Sequence, residues 1–200
     1  MARLFTADEI GGKPDAMYSA GYTPSRLPER LDALATRFSP GPNTRILVAG
    51  VGLSGIVAEA NDRGWPTWGI DASSYAITQA QALWPAWASR YLLASATNRS
   101  QLSGVRTAAG LTGNQRFALV ITDDMLPCAD TEAEAQTMLA ELRRIGTNFW
   151  HNLTVSDPTD PRRGVPATQQ MLWRTRQQWA QIINAPTEVM YDLELREEFV

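Results

Sequence analysis

The sequence predicts an α/β fold with a doubly wound, mostly parallel sheet, and three neighbouring features predict it. The apolar residues 46–48 (ILV) are typical of a parallel strand that is covered on both faces. A glycine-rich turn at residues 50–55 (GVGLSG) leads from this strand into a helix-like segment that stops near Gly64. A second strand at residues 65–70 ends on Asp71. We therefore expect a βαβ unit within a Rossmann-like sheet of six to seven strands flanked by helices.

The composition is that of one folded domain with an acidic balance. The chain has 200 residues, of which 44% are hydrophobic and 20% are charged, and this suits a single α/β core. The formal net charge is −3, so nucleic acid is not a favoured partner. Because the chain has one cysteine, Cys128, and one histidine, His151, an intrachain disulfide and a Cys-rich or multi-histidine metal site are excluded. We expect no metal ion.

The sequence carries no sign of a secretory or membrane segment. Its first residues, MARLFTADEIGG, lack a long apolar stretch. No apolar run approaches the roughly 20 residues that are needed to span a bilayer. We therefore expect a cytoplasmic protein that does not bind membranes, and no feature of the sequence sets its oligomeric state.

The N-terminal part, residues 1–43, is predicted to be a helical extension of the core. Apolar residues recur there at helical spacing, namely Leu27, Leu31, Leu34 and Phe38. Polar and aromatic residues precede this helix, namely Lys13, Tyr18 and Tyr22. All three could fold over a ligand as a lid, or the two tyrosines simply pack the helix against the sheet edge.

The core, residues 44–155, continues the alternation of strands and helices. Further strands are predicted at residues 91–94, 116–122 and 148–155. Helices are predicted at residues 73–83 and 131–145, whereas residues 102–113 are helix or loop. Ligands of open α/β sheets bind beyond the carboxyl ends of the strands. We therefore expect the tips of these strands to converge on one crevice.

The C-terminal part, residues 156–200, completes the same domain. A loop rich in proline, aspartate and arginine covers residues 156–166, and its Arg162 and Arg163 either bind a phosphate or carboxylate of a ligand or lie in solvent. A long helix is predicted at residues 167–184 and a last strand at residues 188–195. No turn signal interrupts this strand, so a seventh strand stays open.

The order of the motifs resembles that of the class I S-adenosylmethionine-dependent methyltransferases. The strand and glycine turn at residues 45–55 resemble the first motif of this family, and GIDAS at 69–73 resembles the second. LLASATN at 92–98 resembles the third motif and FALVITDDMLP at 117–127 the fourth. The resemblance implies S-adenosylmethionine as the cofactor and methyl transfer as the activity.

On this resemblance, the cofactor is bound at the tips of the first four strands. Asp71 takes the ribose hydroxyls in this arrangement, although it could instead cap the helix after Ser73. The candidate cofactor-binding residues are Gly50, Gly52, Leu53, Ser54, Asp71, Ala72, Ser95, Ala96 and Asp123. The chain departs from the family in two places. Val48 and Ala49 precede the turn where the family has an acid, and Ser95 stands where an acid often meets the adenine amino group.

Asp124 and His151 are the candidate catalytic residues. Both lie at strand tips of the predicted crevice, where a side chain can orient the acceptor or accept its proton. Each has a structural alternative, since Asp124 could be a turn acid and His151 a hydrogen-bonded packing residue. Cys128 follows Pro127, and we expect an ordinary thiol there rather than a nucleophile.

Three functions fit these observations. The first is an S-adenosylmethionine-dependent methyltransferase, with a small molecule or a protein as the methyl acceptor. The second is an NAD-dependent oxidoreductase, because the turn at residues 50–55 satisfies G-x-G-x-x-G literally. The third is a non-catalytic binding or structural protein that retains the fold, and Val48 and Ser95, at positions that are usually acidic, favour it.

Overall fold

Seven strands form one sheet in the computed structural model, which describes residues 27–129, 131–153, 155, 174–192 and 197–199. The strands are β1 (Ile46–Ala49), β2 (Thr67–Asp71), β3 (Tyr91–Leu93), β4 (Phe117–Asp123), β5 (Gly146–Leu153), β6 (Val189–Asp192) and β7 (Glu197–Phe199). Their order across the sheet is β3-β2-β1-β4-β5-β6-β7. β1 to β6 are parallel, and β7 pairs with β6 in the antiparallel direction. The predicted mostly parallel sheet is confirmed.

Helices cover both faces of this sheet. They are α1 (Leu27–Phe38), α2 (Ile56–Asp62), α3 (Ser74–Leu83), α4 (Arg99–Ala108), α5 (Glu132–Ile145) and α6 (Arg176–Ile183). Successive residues of a strand point to opposite faces, and β1 shows this directly. Val48 packs in one core cluster with α1, α2 and α3, whereas Leu47 packs in another with α4, α5 and α6. The sheet is therefore doubly wound.

Polar side chains cap α3 and α4, two helices that start near the carboxyl edge of the sheet. Ser73 Oγ accepts the Ala76 N–H at 3.0 Å and so starts α3. Asn98 caps α4 by accepting two backbone N–H groups. Because such caps satisfy helix N–H groups that have no partner within the helix, they set where each helix begins behind its strand.

Two C-terminal elements differ from their predictions. Within the helix predicted at residues 167–184, the structure describes residues 174–184, and α6 begins there at Arg176 behind a capping box of Thr175 and Gln178. Residues 167–173 lie outside the described residues. The strand predicted at residues 188–195 ends at Asp192, and β7 follows as a separate strand. The open question of a seventh strand is thereby answered.

Some expectations fall on parts of the chain that lie outside the described residues. These are the lid interpretation of Lys13, Tyr18 and Tyr22 and the ligand-binding interpretation of Arg162 and Arg163. Within the described ranges, no helix combines the length and the apolar character that a membrane span requires.

Candidate functional site

The candidate site lies where the strand order reverses. β1 stands between β2 and β4, so the chain leaves β1 towards one side of the sheet and later returns to its other side. A crevice forms outside the carboxyl ends of strands at such a switch point. The residues that follow β1, β2 and β4 therefore line the same opening.

The glycine turn after β1 is shaped by the neighbouring strands. The Gly50 N–H and the Val51 N–H both donate to the Ile70 carbonyl of β2, at 2.9 and 3.0 Å. Gly50 has a φ of +79°, and a Cβ added there would lie 2.6 Å from Met125 Cβ. Only glycine fits this position, because both the backbone conformation and the segment after β4 exclude a side chain.

Asp71 joins the glycine turn to the tip of β2. Its Oδ2 accepts the Gly52 N–H at 2.9 Å, and its Oδ1 accepts the Ser73 N–H at 2.8 Å. Burial raises the pKa of Asp71, and these backbone bonds oppose that rise. Each carboxylate oxygen has a second acceptor position. The Ala72 N–H also bonds this carboxylate, so Asp71 braces the turn through three backbone groups and keeps an acceptor position for a hydroxyl donor.

The other residues of the turn pack inward. Ser54 is buried, and its Oγ accepts the Ile56 N–H at 3.3 Å at the start of α2. Tyr91 is fully buried behind it and donates its hydroxyl to the Ser54 carbonyl at 3.4 Å. Leu53 and Ala72 keep part of their surface exposed. Ser54 and Tyr91 thus hold the turn in place, and Leu53 is one of its partly exposed residues.

Ser95 and Ala96 follow β3 on the far side of β2. The Ser95 hydroxyl accepts the Thr97 N–H at 3.2 Å and lies 2.8 Å from Thr97 Oγ1. Gln101 accepts the Ser95 N–H at 2.8 Å. Ala96 is buried. The side chains of Ser95, Thr97 and Gln101 therefore order this segment. Ser95 stands at the position where the resembled family often has an acid, and its hydroxyl is hydrogen-bonded to Thr97.

Asp123 ends β4 beside the glycine turn, and Asp124 follows it directly. The Asp123 carbonyl would lie 3.1 Å from a Cβ at Gly50, so the two tips touch. Asp123 Oδ1 accepts a hydrogen bond from Asn152 Nδ2 at 3.0 Å. Asp124 has a φ of +52°, a left-handed conformation that a non-glycine residue adopts at some cost. Both acids are half-buried at the opening.

His151 lies in a buried network rather than among the residues of the opening. Its ring is fully buried; Nδ1 is 3.0 Å from Thr122 Oγ1, and Nε2 is 2.9 Å from Glu188 Oε2. Arg143 donates two hydrogen bonds of 2.7 Å to the same carboxylate. Burial lowers the pKa of His151, which favours the neutral ring, and the Glu188 carboxylate opposes that shift. This geometry supports the packing alternative for His151.

Cys128 shares the rim of the opening with two of the acids. The residue has exposed surface, and its Sγ donates to the Asp124 carbonyl at 3.5 Å. Desolvation by the surrounding protein atoms, together with the charges of Asp124 and Asp71, raises the pKa of the thiol to about 12. The thiol is therefore protonated at neutral pH, as expected of a non-nucleophilic cysteine.

Two polar residues outside the predicted site, Asn152 and Glu188, organise this region. Asn152 bonds Asp123, and Glu188 holds both His151 and Arg143. No local motif marks either residue, because their partners are set by strand register. β4 and β5 pair Asp123 with Asn152, and β5 and β6 bring Glu188 next to His151. Among the residues that the structure describes, no group of three His, Cys, Asp or Glu side chains is arranged to hold a metal ion.

Comparison with solved structures identifies the fold. The [4+2]-cyclase SpnF matches with a TM-score of 0.62 and 15% identity over 92% of this chain and 73% of that one. A protein that converts a disulfide bond into a thioacetal group during echinomycin biosynthesis matches with a TM-score of 0.60 and 17% identity, over 95% and 88%. Magnesium protoporphyrin IX methyltransferase from Synechocystis PCC 6803, with bound S-adenosylmethionine, matches with a TM-score of 0.57 and 13% identity, over 89% and 82%.

These matches and the strand order define the class of the fold. The chain has the fold of the class I S-adenosylmethionine-dependent methyltransferases, as its motifs predicted. The likeness lies in the backbone, since no protein-family model and no curated protein sequence matches the chain.

Proposed function

We propose that the chain is an S-adenosylmethionine-dependent methyltransferase that acts on a small molecule or a protein. One observation carries the proposal. Asp71, at the tip of β2, is hydrogen-bonded to the glycine turn of β1 at the switch point of the sheet. An acid in this place next to a glycine turn is suited to a nucleoside. The same fold holds S-adenosylmethionine in the Synechocystis enzyme.

The proposed cofactor residues follow the strand tips. Asp71 accepts the ribose hydroxyls, and the glycine turn offers its backbone to the rest of the nucleoside. Asp123 meets the amino end of the cofactor and replaces the acid that is missing before the turn. The proposed set is Gly50, Gly52, Leu53, Ser54, Asp71, Ala72, Ser95, Ala96 and Asp123.

The chemistry of the opening fits this cofactor. Burial destabilises the Asp71 carboxylate and raises its pKa, and the backbone N–H groups that bond it oppose this effect. Hydroxyl donors from a ribose would stabilise the carboxylate in the same way. Asp123 and Asp124 add acidic groups at the adjacent tip. Their charge suits the cationic sulfonium and amino groups of S-adenosylmethionine. When bound, the cofactor supplies an electrophilic methyl group.

The acceptor side of the opening is assigned to Asp124. It follows Asp123 directly, and its backbone N–H donates to the Asn152 carbonyl at 3.0 Å, which fixes its place beside the crevice. A carboxylate there orients the acceptor or accepts its proton. In-line positioning supplies most of the remaining rate acceleration. We assign His151 a structural role, because both of its ring nitrogens are bonded within the core.

A protein that keeps the fold without methyl transfer is the second candidate. Val48 and Ala49 are fully buried at the end of β1, so no acid stands before the glycine turn. One of the structural neighbours, SpnF, is itself described as a cyclase. Binding of S-adenosylmethionine without product formation over a panel of acceptors would favour this candidate.

Calorimetric titration of the purified chain with S-adenosylhomocysteine, with NAD as the parallel titrant, tests the proposal. We expect S-adenosylhomocysteine to bind with a dissociation constant of about 1–100 μM, or roughly −8 to −5 kcal/mol, and NAD to give no heat of binding. Binding of NAD alone would establish the oxidoreductase alternative. Binding of neither would refute a nucleoside site at the glycine turn.

A further inference from the structure

Asn152 of β5 lies next to Asp123, one of the acids of the candidate crevice. It is fully buried near the carboxyl end of β5, and the register of the sheet pairs it with Asp123 of β4. We propose that Asn152 is a positioning residue that orients the Asp123 carboxylate towards the bound cofactor. This inference rests on the proposed function, since it concerns the same crevice.

Hydrogen bonds fix the orientation of the Asn152 amide. Trp150 Nε1 donates to Asn152 Oδ1 at 2.6 Å, and Asn152 Nδ2 donates to Asp123 Oδ1 at 3.0 Å. An indole N–H can only donate, so it must face the oxygen of the amide. The NH2 group is then the end that faces Asp123. The hydrogen bond from Trp150 therefore determines that the NH2 end of the Asn152 amide faces Asp123.

Trp150 is itself held by packing. Its side chain is fully buried and stacks on Tyr191 with ring centroids 5.3 Å apart. Phe38 of α1 meets it edge-on at 6.1 Å. Closely packed aromatic side chains have few alternative rotamers. The indole N–H is thus a fixed donor. The two hydrogen bonds that connect Trp150 through Asn152 to Asp123 therefore form with one orientation of the Asn152 amide.

Asn152 also touches the second acid of the β4 tip. Its carbonyl accepts the Asp124 N–H at 3.0 Å, at the residue where the backbone turns into a left-handed conformation. One residue therefore fixes the side chain of Asp123 and the backbone of Asp124. Removal of its amide should disturb Asp123 first, because the contact with Asp124 is made by the backbone alone.

A double-mutant cycle tests the proposal. Asn152→Asp keeps an oxygen for the Trp150 indole but places a carboxylate against Asp123. We expect it to raise the dissociation constant for S-adenosylhomocysteine by at least about tenfold, as expected for loss of a bond to a charged group. In an Asp123→Asn background the same substitution should change the dissociation constant by less than about twofold, because the Asp123 carboxylate that Asn152 orients is then absent. Ligand-detected NMR titration measures all four proteins into the millimolar range.

Asn148→Asp is the matched control. Asn148 lies on the same strand and the same face as Asn152, but near the opposite end, where its amide donates to the Ala118 carbonyl at 2.8 Å. Its substitution should leave the dissociation constant unchanged within about twofold. Should Asn152→Asp not fold, as judged by circular dichroism, Asn152→Ala takes its place in the cycle because it removes the amide without adding a charge.

The outcomes separate the two proposals. If the wild-type chain does not bind S-adenosylhomocysteine, the proposed function fails and the positioning role fails with it. If the wild-type chain binds and the Asn152 variant binds equally well, only the positioning role is refuted. An equal loss in the presence and absence of the Asp123 carboxylate would also refute it, because Asn152 would then act as a general structural residue.

Discussion

Replacement of Asp71 by Asn removes one acceptor from the junction between the glycine turn and β2. The carboxylate accepts the Gly52 N–H at 2.9 Å with one oxygen and the Ser73 N–H at 2.8 Å with the other. An amide has one oxygen and one NH2 group. In the variant, one of these two backbone N–H groups must therefore face another donor.

The expected loss follows from these contacts. A hydrogen bond to a charged acceptor contributes about 1.5–3 kcal/mol. Burial raises the pKa of Asp71, so removal of its charge recovers part of that contribution. We expect the free energy of unfolding to fall by about 1–2 kcal/mol. The ribose contact should weaken by about 1–3 kcal/mol, or roughly 5- to 150-fold in the dissociation constant.

Calorimetry with S-adenosylhomocysteine measures the ligand effect, and urea unfolding measures the stability effect. Asp62→Asn is the control, because Asp62 accepts the Trp87 indole N–H at 2.8 Å at an exposed site near the end of α2. Its affinity should stay within about twofold of wild type. If Asp71→Asn folds and binds as tightly as the wild type, the Asp71 carboxylate does not contact the ligand, and the assignment of the ribose site is refuted.

The remaining predictions concern stability. Gly50→Ala should cost about 2–4 kcal/mol in urea unfolding, because its φ of +79° and the segment after β4 exclude a methyl group. Gly41→Ala, whose added Cβ meets nothing within 4 Å, should stay within about 0.5 kcal/mol of wild type, and equal losses in the two would contradict the reasoning. Glu188→Gln should cost about 2–4 kcal/mol, since Arg143 and His151 share its carboxylate, and an unchanged urea midpoint would refute that role. Burial lowers the pKa of His151, and for Glu188 the bonds from Arg143 and His151 outweigh burial and lower the pKa as well. The free energy of unfolding of the wild type should therefore decrease as the pH is lowered. It should decrease first below pH 6.5, where His151 binds a proton in the unfolded chain, and again below pH 4.5, where Glu188 does. A stability that does not change with pH would contradict this.

The core elements were predictable because their signals are local. Residues 46–48 form a short apolar run, and the structure extends this strand only to Ala49. Thr131 caps α5 by accepting the Glu134 N–H at 3.1 Å, at the place where the sequence predicts a helix start. Side-chain caps and apolar runs act over a few residues, so the sequence alone locates them.

The C-terminal elements were predicted less well than the core elements. The predicted helix covers residues 167–184, and within the described residues 174–184 the capping box of Thr175 and Gln178 starts α6 at Arg176. The Thr-x-x-Gln pattern that marks this start was readable in the sequence. The break between β6 and β7 carries no glycine or proline, so the pattern of residues 188–195 predicted one strand.

The candidate site also has one part that the sequence predicts and another that it does not. The closeness of Asp71 to the glycine turn follows from the βαβ unit, in which both tips lie at one edge. The network of His151 with Glu188 and the relay from Trp150 through Asn152 depend on the register of β4, β5 and β6. Register joins residues far apart in the chain and is set by the packing of whole strands. A search for local motifs therefore finds the turn and misses the residues that support it.

A nucleoside cofactor at the switch point of the sheet is the central expectation, and a crystal structure of the chain with S-adenosylhomocysteine tests it most directly. We expect the ligand to lie beyond the carboxyl ends of β1, β2 and β4, with its ribose hydroxyls on Asp71 and its amino group near Asp123. A ligand bound at another surface, or a ribose that does not contact Asp71, would contradict the account.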